Sequence, residues 1–380
     1  MNPPQRIVGV DSLYMQIIEE RVSGYMKRYF SQQPSEEIQI GAIAIGGNQP
    51  IRIQSMLSAP SYDFQKNLDQ AIRLEKAGCE ILRVAIPDKE SLSLIPAIKK
   101  VCSIPLVADI HYDYRLALGS IQAGVDKIRI NPGNIGGEDN VKQVVTACKN
   151  RHIPIRIGVN SGSLEHHLLE EYGAPTADAL VASAQYHMKM IERYDYDQIV
   201  ISVKSSHVKT MIDACRLLSK QCSYPLHLGV TEAGTERMGL IKSSIGIGSL
   251  LMDGIGDTIR ISLTDDPEKE ITAAKDILKA CGLSEGIKII SCPTCGRTRY
   301  NLLELVHQVE QATKECQKNL TIAIMGCVVN GPGEAREADL GIAGGVDSGV
   351  LFRKGQILRK VSSNEMLQAL LEEIERWPGN

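Results

Sequence analysis

Two cysteines, Cys292 and Cys295, stand three positions apart in the segment Cys-Pro-Thr-Cys-Gly-Arg. A third cysteine, Cys327, precedes a stretch rich in glycine and proline, and the carboxylate residue Glu334 follows that stretch. Cysteine thiolates bind zinc ions and iron–sulfur clusters. Because Cys-x-x-Cys pairs also occur in redox dithiols, the pair by itself leaves all three chemistries open.

Three cysteines and one carboxylate favour iron over zinc. Structural zinc prefers a cysteine or a histidine as its fourth ligand, so Glu334 would be unusual there. A [4Fe–4S] cluster held by three thiolates has one iron without a sulfur ligand, and a weak oxygen ligand on that iron can give way to a substrate. The alternative is a structural zinc site completed by His307 or by Cys316, which falls in a stretch predicted to be a polar helix.

Composition describes an ordinary globular chain. Its 380 residues are 43% hydrophobic and carry a net charge of −3, so no basic excess points to nucleic acid. The ten cysteines are irregularly spaced and mostly lie in apolar surroundings, which favours a reducing cytoplasm over a disulfide framework. No uncharged apolar run approaches the roughly 20 residues that a membrane span needs.

A repeated alternation of short apolar strands and amphipathic helices precedes the cysteines. The pattern predicts a strand over residues 37–47 and then eight strand–helix units, which fit a (β/α)8 TIM barrel better than an open sheet. The eight barrel strands are predicted at residues 51–56, 81–86, 106–110, 127–131, 155–159, 199–204, 226–230 and 258–263.

The rhythm changes after Gly282, where a small α+β domain is predicted, with strands over residues 287–291 and 320–325, a helix over 302–317 and a terminal helix from Asn364. This domain contains the cysteine cluster. We therefore expect an N-terminal extension of unassigned role over residues 1–36, a barrel domain over 37–283 and an iron–sulfur cluster domain over 284–380.

Polar residues recur at the carboxyl ends of the predicted barrel strands, where barrel enzymes build their active sites. Several alternate with isoleucine or valine, which would point the polar side chains inward. Asp109, Glu232 and Asp257 are the carboxylates expected to oppose the cations there. So many like charges need an anionic partner, and a diphosphate suits them because arginine binds phosphate oxygens bidentately. The cations are Arg83, Arg129, Arg156, Lys204 and Arg260.

Nine segments closely resemble the family of 4-hydroxy-3-methylbut-2-enyl diphosphate synthases of the non-mevalonate isoprenoid pathway. They occur in order and extend from the first strand to the cysteine domain, so the likeness is specific. The segments are residues 45–51, 54–56, 105–111, 129–136, 155–163, 226–234, 256–263, 292–297 and 325–335.

The resemblance implies a TIM barrel joined to a [4Fe–4S] cluster domain without the extra domain of plant-type enzymes. It also implies reductive ring opening and dehydroxylation of 2-C-methyl-D-erythritol 2,4-cyclodiphosphate, with two electrons from ferredoxin or flavodoxin, and a head-to-tail homodimer. Glu232 would act at the reacting carbon, and Glu334 would complete a cluster held by Cys292, Cys295 and Cys327. The residues implied to bind the diphosphate are Arg83, Arg129, Asn131, Arg156, Lys204, Arg260 and Ser262.

One segment departs from the family pattern. After the motif Gln-Ser-Met the family usually continues with a segment like Thr-Asn-Thr, whereas residues 57–60 here are Leu-Ser-Ala-Pro. We assign no site residue in that segment. Two other functions stay open: a phosphosugar isomerase or aldolase barrel with a structural zinc domain, and a non-enzymatic iron–sulfur sensor of a diphosphate metabolite.

Overall fold

The protein is described by a computed structural model that covers residues 34–314, 316, 318–327, 333 and 335–378. Most of the expected N-terminal extension, residues 1–33, and the expected ligand Glu334 lie outside the described residues. The chain divides into two compact units, Met1–Cys281 and Gly282–Asn380. None of the described helices combines the length and the apolar composition that crossing a bilayer requires.

A short antiparallel hairpin, β1 (Ile38–Ile40) and β2 (Ile43–Ile45), opens the described chain. The expectation of one strand over residues 37–47 was therefore wrong. Gly41 adopts a φ of +54° in the turn between the two strands, a backbone conformation that favours glycine. The apolar residues on either side of Gly41 pair with each other instead of continuing in one direction.

Eight parallel strands form the barrel that the sequence predicted. The hydrogen-bonded order is β8-β7-β6-β5-β4-β3-β10-β9, and a parallel bridge between Ile201 and Leu226 joins the two edges. Strands of this kind are covered on both faces, which explains their continuous apolar composition. The strands are β3 (Arg52–Met56), β4 (Ile81–Ala85), β5 (Leu106–Asp109), β6 (Lys127–Ile130), β7 (Ile155–Asn160), β8 (Ile199–Lys204), β9 (His227–Leu228) and β10 (Thr258–Ile259).

The hairpin packs against the barrel near the amino ends of the strands. The hairpin side chains are buried in one apolar cluster with residues from three barrel strands. The opposite, carboxyl end of the strands is therefore free for polar side chains. The cluster consists of Ile38, Ile40, Ile45, Ile81, Val107 and Val200.

Helices follow the barrel strands. Asp63 caps the first of them by accepting a hydrogen bond from the Lys66 backbone, and Gly78 ends it with a φ of 100°, as expected of a C-terminal glycine. The helices are α1 (Phe64–Ala77), α2 (Leu94–Val101), α3 (Tyr114–Gln122), α4 (Glu138–Arg151), α5 (His166–Tyr172), α6 (Ala177–Glu192), α7 (Val208–Leu218), α8 (Glu236–Met252) and α9 (Pro267–Ala280).

The second unit is built on a five-stranded mixed sheet. Its strands follow the order β11-β12-β13-β14-β15. The first three strands run parallel to one another, β14 is antiparallel to β13, and β15 is antiparallel to β14. The elements are β11 (Lys288–Ser291), α10 (Leu302–Thr313), β12 (Thr321–Met325), β13 (Leu340–Gly344), β14 (Ser348–Arg353), β15 (Gln356–Ser362) and α11 (Met366–Glu375).

Residues of β12 alternate between two apolar clusters. Ile322 and Ile324 pack with α10 and α11, whereas Ala323 and Met325 join a smaller cluster around Phe352. The sheet is thus buried on both faces around β12.

Candidate active site

Apart from Arg52 at the start of β3, which pairs with Glu80, six cationic side chains lie on the barrel strands or directly after them. Five were expected, and the sixth, Lys127, was missed although it is two positions before Arg129 on β6 and therefore shares its face. Lys127 is 0% exposed and Arg156 is 1% exposed. The six are Arg83, Lys127, Arg129, Arg156, Lys204 and Arg260.

Asp109, at the end of β5, is fully buried and accepts hydrogen bonds from two of these cations. Its Oδ2 lies 2.6 Å from Nη2 of Arg83, and its Oδ1 lies 3.2 Å from Nη1 of Arg129. Nε2 of His111 is 3.1 Å from the same Oδ2. Burial alone would raise the pKa of Asp109, but Arg83, His111 and Arg129 hold it well below its usual value.

The expected position of Asp257 at the carboxyl end of the barrel was wrong. Asp257 precedes β10, where its carboxylate accepts hydrogen bonds from Oγ of Ser35 at 2.6 Å and from the Leu226 backbone at 2.7 Å. Burial raises its pKa. Oε1 of Glu270, a residue of α9, lies 3.6 Å from Nη2 of Arg260. Glu270 is therefore the second carboxylate that forms an ion pair with the cations of the barrel interior.

The barrel interior therefore carries excess positive charge, because six cations face Asp109 and Glu270. Nη1 of Arg156 donates to Oε1 of Gln54 at 3.1 Å. Nε of Arg156 and Nζ of Lys127 have no hydrogen-bond partner among the described residues. Donors buried without acceptors cost free energy, so this interior is suited to receive an anion.

Replacing Asp109 by asparagine should destabilise the ligand-free protein by about 3–5 kcal/mol, since it leaves buried cations without their counter-ion. The folded-state pKa of Asp109 is depressed, so its contribution is present above the unfolded pKa and is lost as the pH falls through the folded pKa. Denaturant titrations of wild type and Asp109→Asn should therefore differ most above about pH 4 and converge in more acidic solution. Inorganic diphosphate should raise the melting temperature of the variant more than that of wild type. Equal stability at neutral pH would contradict the ion-pair assignment.

Lys127→Met should raise the free energy of unfolding by about 1–3 kcal/mol, because it replaces an unsatisfied buried amine with an apolar chain of similar length. Burial, with the neighbouring charges of Arg156 and Arg83, holds the pKa of Lys127 well below its usual value. Lys99, which pairs with Asp126 at 2.7 Å nearer the surface, provides the control: Lys99→Met should change stability little. A loss of stability in Lys127→Met would show that the amine has a bound partner.

A cavity of about 530 Å³ lies at the carboxyl end of the barrel. It brings together three of the expected site residues: Arg129, Asn131 and Glu232. Most of the other wall residues lie at or after strand ends, and Ser205, Ser206 and His207, directly after β8, were not expected. Their position after a barrel strand is the signal that could have found them. The lining also includes His111, Tyr112, Asn134, Asn160, Ser161, Gly162, Ser163, Pro175 and Thr231.

Of the remaining expected residues, Arg260 and Ser262 contact each other. Nη1 of Arg260 donates to Oγ of Ser262 at 2.7 Å. Lys204 is buried, and a side chain at Gly229 would come within 3.0 Å of its Nζ, so this close approach requires glycine. Burial and the surrounding cations, Arg260 first, hold the pKa of Lys204 well below its usual value.

Glu232 has a strained backbone. Its φ is +51°, in the left-handed region that residues with a side chain rarely adopt, at a cost of about 1–3 kcal/mol. The turn after β9 nevertheless holds it there, and the residue lines the cavity. His152, Asp195 and Lys354 adopt a similar φ away from the cavity, so the functional interpretation of Glu232 rests on its strain together with its place in the cavity wall.

In the second unit, two cysteine-bearing loops follow neighbouring parallel strands. Cys292 comes directly after β11, and Gly326 and Cys327 come directly after β12. Because the carboxyl ends of parallel strands meet at one edge of a sheet, the two loops are brought together. The Gly326 backbone donates a hydrogen bond to Sγ of Cys292 at 3.0 Å.

Cys295 is exposed, and its loop turns back towards Gly326. The Cys295 backbone donates to Oγ1 of Thr298 at 3.3 Å, and a side chain at Gly326 would meet that same oxygen at 2.6 Å. Hydrogen bonds from the backbone and side chain of Arg297 lower the pKa of Cys295, which favours the thiolate that binds metals. Within the described residues, from which Glu334 is missing, no three His, Cys, Asp or Glu side chains lie close enough together to hold a metal ion.

The two residues considered for a zinc site lie elsewhere in this unit. Cys316 follows α10 instead of lying inside it, and its carbonyl oxygen is 4.0 Å from the Cβ position of Gly286, just before β11. It therefore lies near the amino ends of β11 and β12, opposite Cys292. His307 is exposed in the middle of α10. The structure does not bring either residue to the cysteine loops.

Two family models match this chain. The GcpE TIM-barrel domain matches residues 35–275, and the GcpE protein C-terminal domain matches residues 288–376. The matches correspond to the barrel unit and to the unit that contains the cysteine loops.

Three relatives share the name 4-hydroxy-3-methylbut-2-en-1-yl diphosphate synthase (flavodoxin). The protein from Fusobacterium nucleatum is 55% identical, with 89% of this chain and 96% of the relative covered. The protein from Caldicellulosiruptor saccharolyticus is 53% identical, and the alignment covers 90% of this chain and 98% of that relative. The protein from Clostridium perfringens is also 53% identical, and the alignment covers 91% of this chain and 99% of that relative. With both domains matched and sequence identity above one half, the chain belongs to the GcpE family.

Proposed function

We propose that this protein catalyses the reductive ring opening and dehydroxylation of 2-C-methyl-D-erythritol 2,4-cyclodiphosphate. The product is 4-hydroxy-3-methylbut-2-enyl diphosphate, an intermediate of the non-mevalonate isoprenoid pathway. The proposal rests on sequence identity: more than half of the aligned residues are identical to those of synthases that align over nearly their whole length. The reaction takes up two electrons and two protons and releases one water.

The barrel interior supplies the binding site for the diphosphate in this proposal. Among the described residues, the carboxylates that form ion pairs with these six cations are Asp109 and Glu270, so a diphosphate would provide the missing negative charge. Asn131 lines the cavity and is oriented by the Gly133 backbone, which donates to its Oδ1 at 3.1 Å. The residues that we assign to substrate binding are Arg83, Arg129, Asn131, Arg156, Lys204, Arg260 and Ser262.

We assign a [4Fe–4S] cluster to Cys292, Cys295, Cys327 and Glu334. The donor set fits this group: two adjacent loops carry three thiols, one of which accepts a backbone hydrogen bond and another of which has a lowered pKa. When bound, such a cluster would supply electrons one at a time, and its irons would be held by the three thiolates and by the weaker oxygen ligand Glu334. The chain's own contribution is to hold the thiolates and to keep the loops in place through Gly326.

Glu232 is assigned as the acid–base residue. It lines the same cavity as Arg129 and Asn131, and its strained backbone aims its carboxyl group from the turn after β9. A carboxyl group placed there can hold a proton for the hydroxyl that leaves as water. Arg129 and Asn131 would keep the substrate oriented while this proton is transferred.

The electron donor in this proposal is flavodoxin, since the relatives carry that word in their names, and ferredoxin is the alternative. We assign residues 37–283 to the substrate-binding domain and 284–380 to the cluster domain. A head-to-tail homodimer would let the cluster domain of one subunit serve the barrel of the other. All ten cysteines are free thiols, which supports the proposed cytoplasmic location.

Anaerobic purification followed by a turnover assay tests the proposal. Protein loaded with iron and sulfide should be brown, and with reduced flavodoxin it should convert the cyclic diphosphate to the linear alcohol, detected by mass spectrometry. A colourless zinc-loaded protein without turnover would favour the isomerase or aldolase alternative. Binding of the cyclic diphosphate without any turnover would favour the sensor.

A further inference from the structure

A buried His–Glu pair lies close to the cavity but outside the assigned site. His187 of α6 is 0% exposed, and its Nε2 lies 2.5 Å from Oε1 of Glu165. Glu165 is the residue that precedes α5, and its side chain is 15% exposed. The pair therefore joins α6 to the segment that leads into α5.

The pair rests directly against a turn of the cavity wall. A Cβ atom on Gly133 would lie 3.1 Å from Cε1 of His187, 3.5 Å from Oε1 of Glu165 and 3.4 Å from Oδ1 of Asn131. The backbone of Gly133 donates to that same Oδ1, and Asn134 donates to the Asn131 carbonyl at 2.9 Å. Movement of the imidazole would thus be transmitted through Gly133 to the Asn131 amide.

Glu165 connects the pair to a second part of the wall. Residues 161–163 line the cavity, and Glu165 follows them by two positions. The hydrogen bond therefore joins the segment after β7 to α6, and the turn after β6 packs against both partners at Gly133. The segment after β7 and the turn after β6 therefore meet at this one side-chain pair.

The pair carries more charge than is needed to fill the space between α6 and the segment before α5. Burial alone would raise the pKa of Glu165, but the hydrogen bond with His187 and, after it, the Ser183 hydroxyl hold it at about 2, so the carboxylate is ionised. Nδ1 of His187 and Oε2 of Glu165 have no hydrogen-bond partner among the described residues. A buried charge with so few partners is costly, whereas an apolar pair would fill the same space without this cost.

We propose that the His187–Glu165 pair is a positioning device that sets the Asn131 amide for the substrate through the Gly133 turn. The pair does not touch the substrate, and the inference rests on the proposed function because it assumes that Asn131 binds the cyclic diphosphate. Loss of the pair should weaken substrate binding and leave the chemical step and the cluster intact.

Steady-state kinetics of anaerobically loaded protein with reduced flavodoxin test this inference. His187→Leu should raise the KM for the cyclic diphosphate about tenfold, equivalent to about 1.4 kcal/mol, while kcat and the cluster absorbance stay near wild type. His187→Gln, which retains an N–H donor, should recover most of the lost affinity. Glu165→Gln keeps the shape of the side chain and should give an intermediate KM, which provides a second test if His187→Leu does not fold.

Tyr196→Phe is the matched control. It removes another buried hydrogen bond, from the Tyr196 hydroxyl to the Ile153 carbonyl, at the amino end of the barrel strands. Its KM should equal that of wild type. The inference is overturned if Glu165→Gln and folded His187→Leu keep the wild-type KM while Asn131→Ala raises it. If Asn131→Ala also leaves the KM unchanged, the substrate-binding role assigned to Asn131 fails instead.

Discussion

The variant Cys292→Ser, purified without oxygen, should lack the broad absorbance of an iron–sulfur cluster near about 400 nm and should show no turnover. Cys292 directly follows β11, and its Sγ accepts the Gly326 backbone N–H at 3.0 Å. A serine hydroxyl is a poor substitute for a soft thiolate ligand on iron. The measurement is an absorbance spectrum together with iron and sulfide analysis.

Cys316→Ser is the control for this experiment. Cys316 belongs to the same unit, but it lies beyond α10 near the amino ends of β11 and β12, away from the loop of Cys292. This variant should retain wild-type absorbance and iron content. The ligand assignment would be wrong if Cys292→Ser kept the full cluster content, and the zinc alternative would gain support if Cys316→Ser lost a bound metal.

The second large effect is expected from Glu232→Gln, which should reduce kcat by a factor of about 10²–10⁴, the usual contribution of a general acid or base. The amide keeps the size of the side chain but cannot supply a proton. Because Glu232 lies in a turn of the barrel unit, the cluster absorbance should not change. The KM should also stay within about threefold of wild type, because the cations that bind the diphosphate remain.

Backbone strain offers a separate check on Glu232. Since its φ is +51°, Glu232→Gly should relax the turn and raise stability, although the carboxyl group is lost. A variant that is more stable but inactive would show that the strain is maintained for function. Full activity of Glu232→Gln, in contrast, would remove Glu232 from the mechanism.

The sequence alone determined the barrel and the family. Strands covered on both faces are apolar throughout, and their alternation with amphipathic helices is a local pattern that can be read without contacts. All eight predicted barrel strands are present, although the expected strands at 226–230 and 258–263 are shortened to His227–Leu228 and Thr258–Ile259. The order of long motifs predicted the synthase family, which the domain matches and relatives confirm.

Part of the arrangement of the cysteine loops could also be predicted from the sequence. The strands before Cys292 and Gly326 were predicted, and their carboxyl ends do meet at one edge of the sheet. That Cys316 lies at the other end of these strands required the structure, because its position depends on where α10 ends. The ligand set itself stays a prediction for the spectra described above.

Only the tertiary structure decided how the charges are paired. Asp109 is shared by Arg83 and Arg129, whereas Asp257 bonds with Ser35 at the amino end of β10. Such pairings join residues far apart in the chain, as Arg156 and Gln54 do across 102 positions. Periodicity tells which face of a strand a side chain occupies, but its partner is fixed by barrel closure, which brings strands distant in sequence together. The burial of Lys127 and the contact between His187 and Glu165 are decided in the same way.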